Sequence, residues 1–111
     1  LADFVELQIE AGSTFVTQVD VSDASGLPKN LNGYTVRSQL RKSYYSTNAV
    51  NFTITMIDAP NGSIELKLGA DVTSSIRAGR YVYDVEIEEV STGTVTRIFE
   101  GIATILPNVT R

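Results

Sequence analysis

The chain contains no histidine, no cysteine and no tryptophan. The first absence removes the side chain that titrates nearest neutral pH, and with it imidazole acid–base catalysis. The second removes thiol nucleophiles and disulfides and, taken with the first, the usual ligands of zinc, haem and iron–sulfur centres. No cofactor or metal is expected, and folding does not call for an oxidising compartment. Apolar runs are only a handful of residues long, too short to span a bilayer, so no membrane association is expected. The chain opens at Leu1 rather than Met, as a processed or trimmed product would. Nine Lys and Arg stand against thirteen Asp and Glu, a net charge of −4. That sign disfavours a nucleic-acid partner, whose phosphates call for a cationic surface.

What is abundant is β-forming. Val, Ile, Thr, Tyr and Phe supply 42 of the 111 residues, the types that suit a pleated, half-buried surface. No Pro-rich linker or charge block divides the chain, so residues 1–111 are read as one domain. Short alternating runs separated by turn residues recur along it, the pattern of an all-β sandwich or barrel. Phe4 to Glu10 and Thr14 to Val21 form the first two runs. A polar connection over 22–30 then leads to Tyr34–Arg41, where Tyr34, Val36, Ser38 and Leu40 share one face. Val50 to Ile57 follows, and beyond the Pro60-Asn61-Gly62 turn come Ile64, Leu66 and Leu68. Val72 and Ile76, four apart, predict one short helical turn before the sixth run, with Gly79 as its C-terminal cap. Arg80 to Glu89 alternates cleanly, with Tyr81, Tyr83, Val85 and Ile87 inward. Thr94 to Leu106 changes parity along its length, and Gly101 is read as the bulge that swaps its faces.

Seven such runs predict an immunoglobulin-like β-sandwich of about seven antiparallel strands. Tyr81, two residues before the core position Tyr83, fits a tyrosine corner, in which the hydroxyl bonds back to the upstream backbone. Tyr83 then stands where antibody domains carry a core cysteine.

Candidate sites are few. Asp84, Glu86 and Glu88 share one strand face, a spacing open to hard-cation binding or carboxylate catalysis. Pairing of the third run with the sixth would set Arg37 and Arg41 beside them as a charge ladder, the favoured reading. Asp20, Asp23 and Ser25 loosely match a calcium loop, but their spacing suits a turn whose side chains bond their own backbone. Arg37, Arg41 and Lys42 adjoin Tyr44 and Tyr45, a basic–aromatic cluster of the kind that holds single-stranded nucleic acid. The acidic balance disfavours that use, and the tyrosine pair is read as a candidate contact for protein or glycan, since exposed tyrosine favours interfaces. No enzyme is expected; Glu86 and Glu88 are the carboxylates to test for one.

Gly12-Ser13-Thr14-Phe15 leads the second run, and Leu31-Asn32-Gly33-Tyr34 opens the third. Gly79-Arg80-Tyr81-Val82-Tyr83-Asp84 carries the sixth. Gly93-Thr94-Val95-Thr96-Arg97 with Glu100-Gly101 makes the last hairpin, before Pro107-Asn108-Val109-Thr110. In these motifs the chain resembles a group of small β-sandwich structural proteins of tailed bacteriophages, notably cyanobacterial phages. Its layout is also similar to the N-terminal domain of phage baseplate upper proteins. The resemblance covers nearly the whole chain but rests on turn and core residues. It implies a non-enzymatic virion component, assembled in the bacterial host cytoplasm: a capsid decoration, or a neck, tail or baseplate part. Its partners would be other virion proteins and further copies of itself in a symmetric array, docked through sheet edges, loops and the termini at 1–3 and 107–111. The alternative is a host-adhesion or carbohydrate-binding module stacking a glycan on Tyr44 and Tyr45.

Overall fold

A computed structural model of the protein describes residues 3–109; the outermost residues of the two expected docking arms lie outside that range. Two sheets face each other. The larger contains β1 (Asp3–Phe4), β2 (Leu7–Glu10), β4 (Tyr34–Arg41), β5 (Val50–Asn51), β8 (Gly79–Glu89) and β9 (Val95–Leu106). Its order is β1-β9-β8-β4-β5, with β2 continuing β1 along β9. The smaller holds β3 (Phe15–Asp20), β7 (Ser63–Leu68) and β6 (Thr53–Asp58), with β7 central. A 3-10 turn spans Ala59–Asn61, and α1 (Ala70–Ser74) links the two sheets. The result is the all-β, immunoglobulin-like sandwich that the alternation predicts. Two pairings depart from the antiparallel rule, because β1 and β2 both run parallel to β9.

The core follows from the alternation. Ile64, Leu66 and Leu68 of β7 bury one face of the small sheet, and Tyr83, Val85 and Ile87 of β8 bury the facing side of the large one. Ile9, Leu40, Ala103 and Ile105 complete that side. The run Val50 to Ile57 is divided between the sheets. Asn51 and Val50 pair with Gln39 and Leu40, whereas Thr53 onward pairs with β7. Phe52 at the crossing is buried, its N–H donating to the Ser38 carbonyl at 3.0 Å. Its ring lies 6.3 Å from those of both Phe15 and Tyr83. One aromatic from each sheet and one at the crossing therefore occupy the centre, the tilted and edge-on geometries that aromatic quadrupoles favour.

Two expectations are corrected. Ser75, not Gly79, closes the helical turn, with its N–H donating to Val72 at 3.0 Å. Gly79 opens β8 at φ +142°, a conformation that residues with a side chain rarely adopt. The bulge in the last hairpin is not at Gly101. The register passes from Val85↔Phe99 to Glu86↔Arg97, so Ile98 is the extra residue. That insertion accounts for the change of parity along β9, because one unpaired residue reverses every face beyond it.

Thr73 on α1 is fully buried. Its hydroxyl accepts from the Gly12 N–H at 3.1 Å and donates to the Ser13 carbonyl at 2.8 Å, pinning the β2–β3 turn to the helical turn. Thr73→Val keeps the shape and removes both partners. Urea unfolding should show a loss of about 1–3 kcal/mol, and Thr73→Ser should recover most of it. Equal stability of all three chains would refute the hydroxyl's role.

Candidate functional site

The outward face of the large sheet collects the charges that the sequence placed together. β4 and β8 pair Arg37 with Glu86 and Gln39 with Asp84. The Arg37 guanidinium forks across Glu86 and Glu88, both at 3.0 Å. Arg41 is not part of this ladder. Its guanidinium donates to the Ser46 carbonyl and, at 3.0 Å, to Gln39 Oε1. Asp84 is met instead by Arg97 of β9 at 3.4 Å, and Arg97 also reaches Glu100 at 3.7 Å. Arg97 was missed in the sequence because the Ile98 insertion hides which face of β9 it occupies.

The surroundings of Asp84 perturb its carboxyl. Burial, and then the like charge of Glu86, raise its carboxyl above the usual range, and Arg97 and Arg41 only partly offset them. The carboxylates at the far end of the sandwich go the other way. Ser63 and Gln18 hold Asp20 below the ordinary value, and the Ser25 hydroxyl does the same for Asp23. Asp23 Oδ1 accepts from the Ser25 and Leu27 N–H groups at 2.9 and 3.1 Å and from the Ser25 hydroxyl at 2.7 Å. It therefore caps its own turn. Among the described residues, no three carboxylates converge into a set that could hold a metal ion.

The bond from Arg41 to Ser46 shapes the loop after β4. Ser46 N–H donates to the Ser43 carbonyl at 3.1 Å, closing a tight turn whose tip is Tyr44-Tyr45. Tyr44 lines a shallow groove of about 360 Å³ together with Arg37, Arg41, Asp84 and Arg97. Tyr45 is 94% exposed and is not among the residues that line that groove. Arg37, Arg41 and Tyr44 are thus brought together, and Tyr45 stands apart at the tip.

Of the remaining singled-out residues, Tyr83 is buried and Tyr81 and Gly79 are half-buried. The Tyr81 hydroxyl donates to the Arg77 carbonyl at 2.7 Å, the geometry of a tyrosine corner. Tyr83 is buried, and its hydroxyl crosses to the Val5 carbonyl at 2.6 Å. Gly79 sits beneath Lys42, whose ammonium lies 4.8 Å from the Tyr81 ring centroid.

The Arg37 fork yields a direct expectation. Arg37→Glu places three carboxylates in one cluster and should lower the melting temperature, with the loss shrinking as salt screens the repulsion. Unchanged melting at low ionic strength would show that the ladder contributes nothing to stability.

No protein-family model matches the chain, and no curated protein matches it in sequence. Solved structures do match in fold. The N-terminal domain of phage TP901-1 ORF48 is similar over 94% of this chain and 97% of that domain, with a TM-score of 0.55 and 13% identity. The NK cell receptor NKp44 gives a TM-score of 0.47 at 14% identity, over 96% of this chain and 99% of that one. A family 123 glycoside hydrolase from Clostridium perfringens gives 0.45 at 11% identity, over 98% of this chain and 24% of that one. The first likeness shows a shared fold, extending from end to end of both domains.

Proposed function

We propose that this chain is a non-enzymatic structural module of a tailed-phage virion that assembles with other virion proteins in multiple copies. The observation that carries the reading is the end-to-end likeness of its fold to a domain of a phage protein. The surface supports it. Strand β6 is one of the two outer strands of the small sheet, and among the described residues no strand pairs with one side of its backbone. It carries no charge before Asp58, and Met56 and Ile57 are exposed on it. Natural edges are commonly blunted by charge, Pro or brevity; β6 has Asp58 and one irregularity at its far end only. Such an edge suits addition of a neighbour's strand. On the other sheet, β5 is two residues long and offers little to pair with.

The test is incubation of the tagged domain with purified capsid and tail subunits, read by co-sedimentation, alongside Ile57→Lys. Binding that the lysine abolishes, with melting unchanged, supports assembly through β6. Absence of binding to every virion subunit would overturn the reading.

A second reading, a glycan-binding adhesion module, is favoured by the exposed Tyr45 at the loop tip. Binding on a glycan array that is lost on replacing Tyr44 and Tyr45 with Ala would establish it.

A further inference from the structure

One groove beside the Tyr44–Tyr45 loop has a lining opposite in charge to the whole chain. A groove of about 530 Å³ lies between this loop and the segment that follows α1. Arg41, Lys42 and Arg77 line it, together with Ser46, Thr47 and Asn48, and no carboxylate is among its lining residues. The groove over the charge ladder, by contrast, contains Asp84 and Glu86, and that at the opposite end contains Asp3, Asp23 and Glu89. In a chain with four more acids than bases, Lys42 and Arg77 stand in this groove without an acid, and Arg41 is shared with the ladder groove that holds Asp84.

Two of the three cations are held in place by neutral partners. Arg41 donates to the Ser46 carbonyl and to Gln39. Lys42 donates to the Arg80 carbonyl at 3.1 Å and lies over the Tyr81 ring. Neutral acceptors and an aromatic face orient a cation while leaving its charge available. Among the described residues, the ion pairs formed are those of Arg37 and Arg97, at the ladder.

From this we infer that the groove binds an acidic saccharide, its carboxylate held by Arg41, Lys42 and Arg77 and a neighbouring sugar ring stacked on Tyr45. The inference rests on the glycan-binding reading and names its ligand class. The lining chooses a sugar over other anions. Ser46, Thr47 and Asn48 offer short donors and acceptors suited to ring hydroxyls, and Tyr45, next to Ser46 in the chain but outside the groove's lining, is exposed. An acidic peptide adding as a strand would find here only β5, an edge two residues long. A nucleic acid would need a cationic surface longer than three residues.

The test uses the described fold intact. Short oligogalacturonate and a neutral oligosaccharide of the same length are titrated into the isotope-labelled protein, with backbone amide shifts followed by NMR. Oligogalacturonate should shift residues 41–48 and 75–81 and weaken steeply between about 20 and about 300 mM salt. The neutral sugar should bind at least about tenfold more weakly, having no charge to place. Arg77→Ser, which removes no hydrogen bond of the Arg77 side chain, should lower the affinity for oligogalacturonate and leave melting unchanged. Tyr45→Ala should lower it for both sugars. Equal binding of the two sugars would overturn the acidic preference and leave the glycan reading standing. Binding of neither would overturn both. A single-stranded oligonucleotide bound more tightly than oligogalacturonate would replace the saccharide with a nucleic acid.

Discussion

Gly101→Ala should release the first strand from the sheet. Gly101 lies on β9 opposite Tyr83, at the break between β1 and β2. A Cβ built there would overlap the Val5 carbonyl oxygen and lie 2.9 Å from the Val5 carbonyl carbon. It would also stand 3.3 Å from Cε1 of the Tyr83 ring. The chain crosses so closely because Val5 turns its carbonyl toward the Tyr83 hydroxyl while its N–H stays on the Glu100 carbonyl at 2.9 Å. The neighbour that must give way is backbone, which cannot rotate aside as a side-chain tip could. Overpacking of this kind costs about 3 kcal/mol. The loss should be local as well as global, with amide exchange quickening first over 3–10, since among the described residues β1 and β2 pair with β9 alone. A Gly101→Ala chain with wild-type melting and unchanged protection of Leu7 and Ile9 would show that the close approach is not needed.

The same residue shows where the sequence was legible and where it was not. Tyr34–Arg41 and the inward faces of β7 and β8 could be read from alternation alone. Each is a central or well-covered strand, where one buried face enforces a period of two. Seven runs were visible, and their order in the two sheets follows the immunoglobulin pattern. The failures lie where two segments far apart in sequence meet. Gly101 has the look of a bulge, yet what requires a glycine there is the Val5 backbone, 96 positions away along the chain. Phe52 falls in phase with Val50 and Ile54, so nothing local reveals that its strand changes sheets. Ile98 is the actual insertion, and without it in view the Asp84–Arg97 pair could not be found. Arg41 carries the right charge and phase for the ladder, but the following loop offers it the Ser46 carbonyl, a partner no periodicity announces. The exposed loop tyrosines were recognisable as surface features by type. The acid-free groove beside them was not, since Arg77 arrives from the segment after α1.

Tyr83 should make the fold sensitive to alkali, and Tyr83→Phe should remove that sensitivity at a cost near neutrality. The phenol is buried, and burial alone raises its pKa to about 12, against about 10 for a solvated tyrosine. The folded state thus holds this proton more tightly than the unfolded chain does. The stabilisation from the neutral phenol is fully present below about pH 10 and falls away as pH rises toward 12. Two units of difference correspond to about 2–3 kcal/mol across that window. Near pH 7 the contribution is constant, and what counts is the hydrogen bond to Val5 at 2.6 Å, linking the middle of the large sheet to the break in its first strand. Tyr83→Phe leaves the ring packed against Phe52 but strands the Val5 carbonyl, an unmet acceptor worth about 1–3 kcal/mol. Denaturant titrations of both chains from pH 7 to pH 12 should therefore converge: Tyr83→Phe starts less stable and loses less. Parallel curves would mean that Tyr83 titrates alike in folded and unfolded chains. Equal stability at pH 7 would mean that the bond to Val5 does not hold the first strand. Gly101→Ala and Tyr83→Phe act on one junction, so their combined cost should fall short of the two added together. In an immunoglobulin-like domain without a disulfide, this bond joins one strand to the core of its sheet by a hydroxyl, and the alkaline window separates that bond from simple packing.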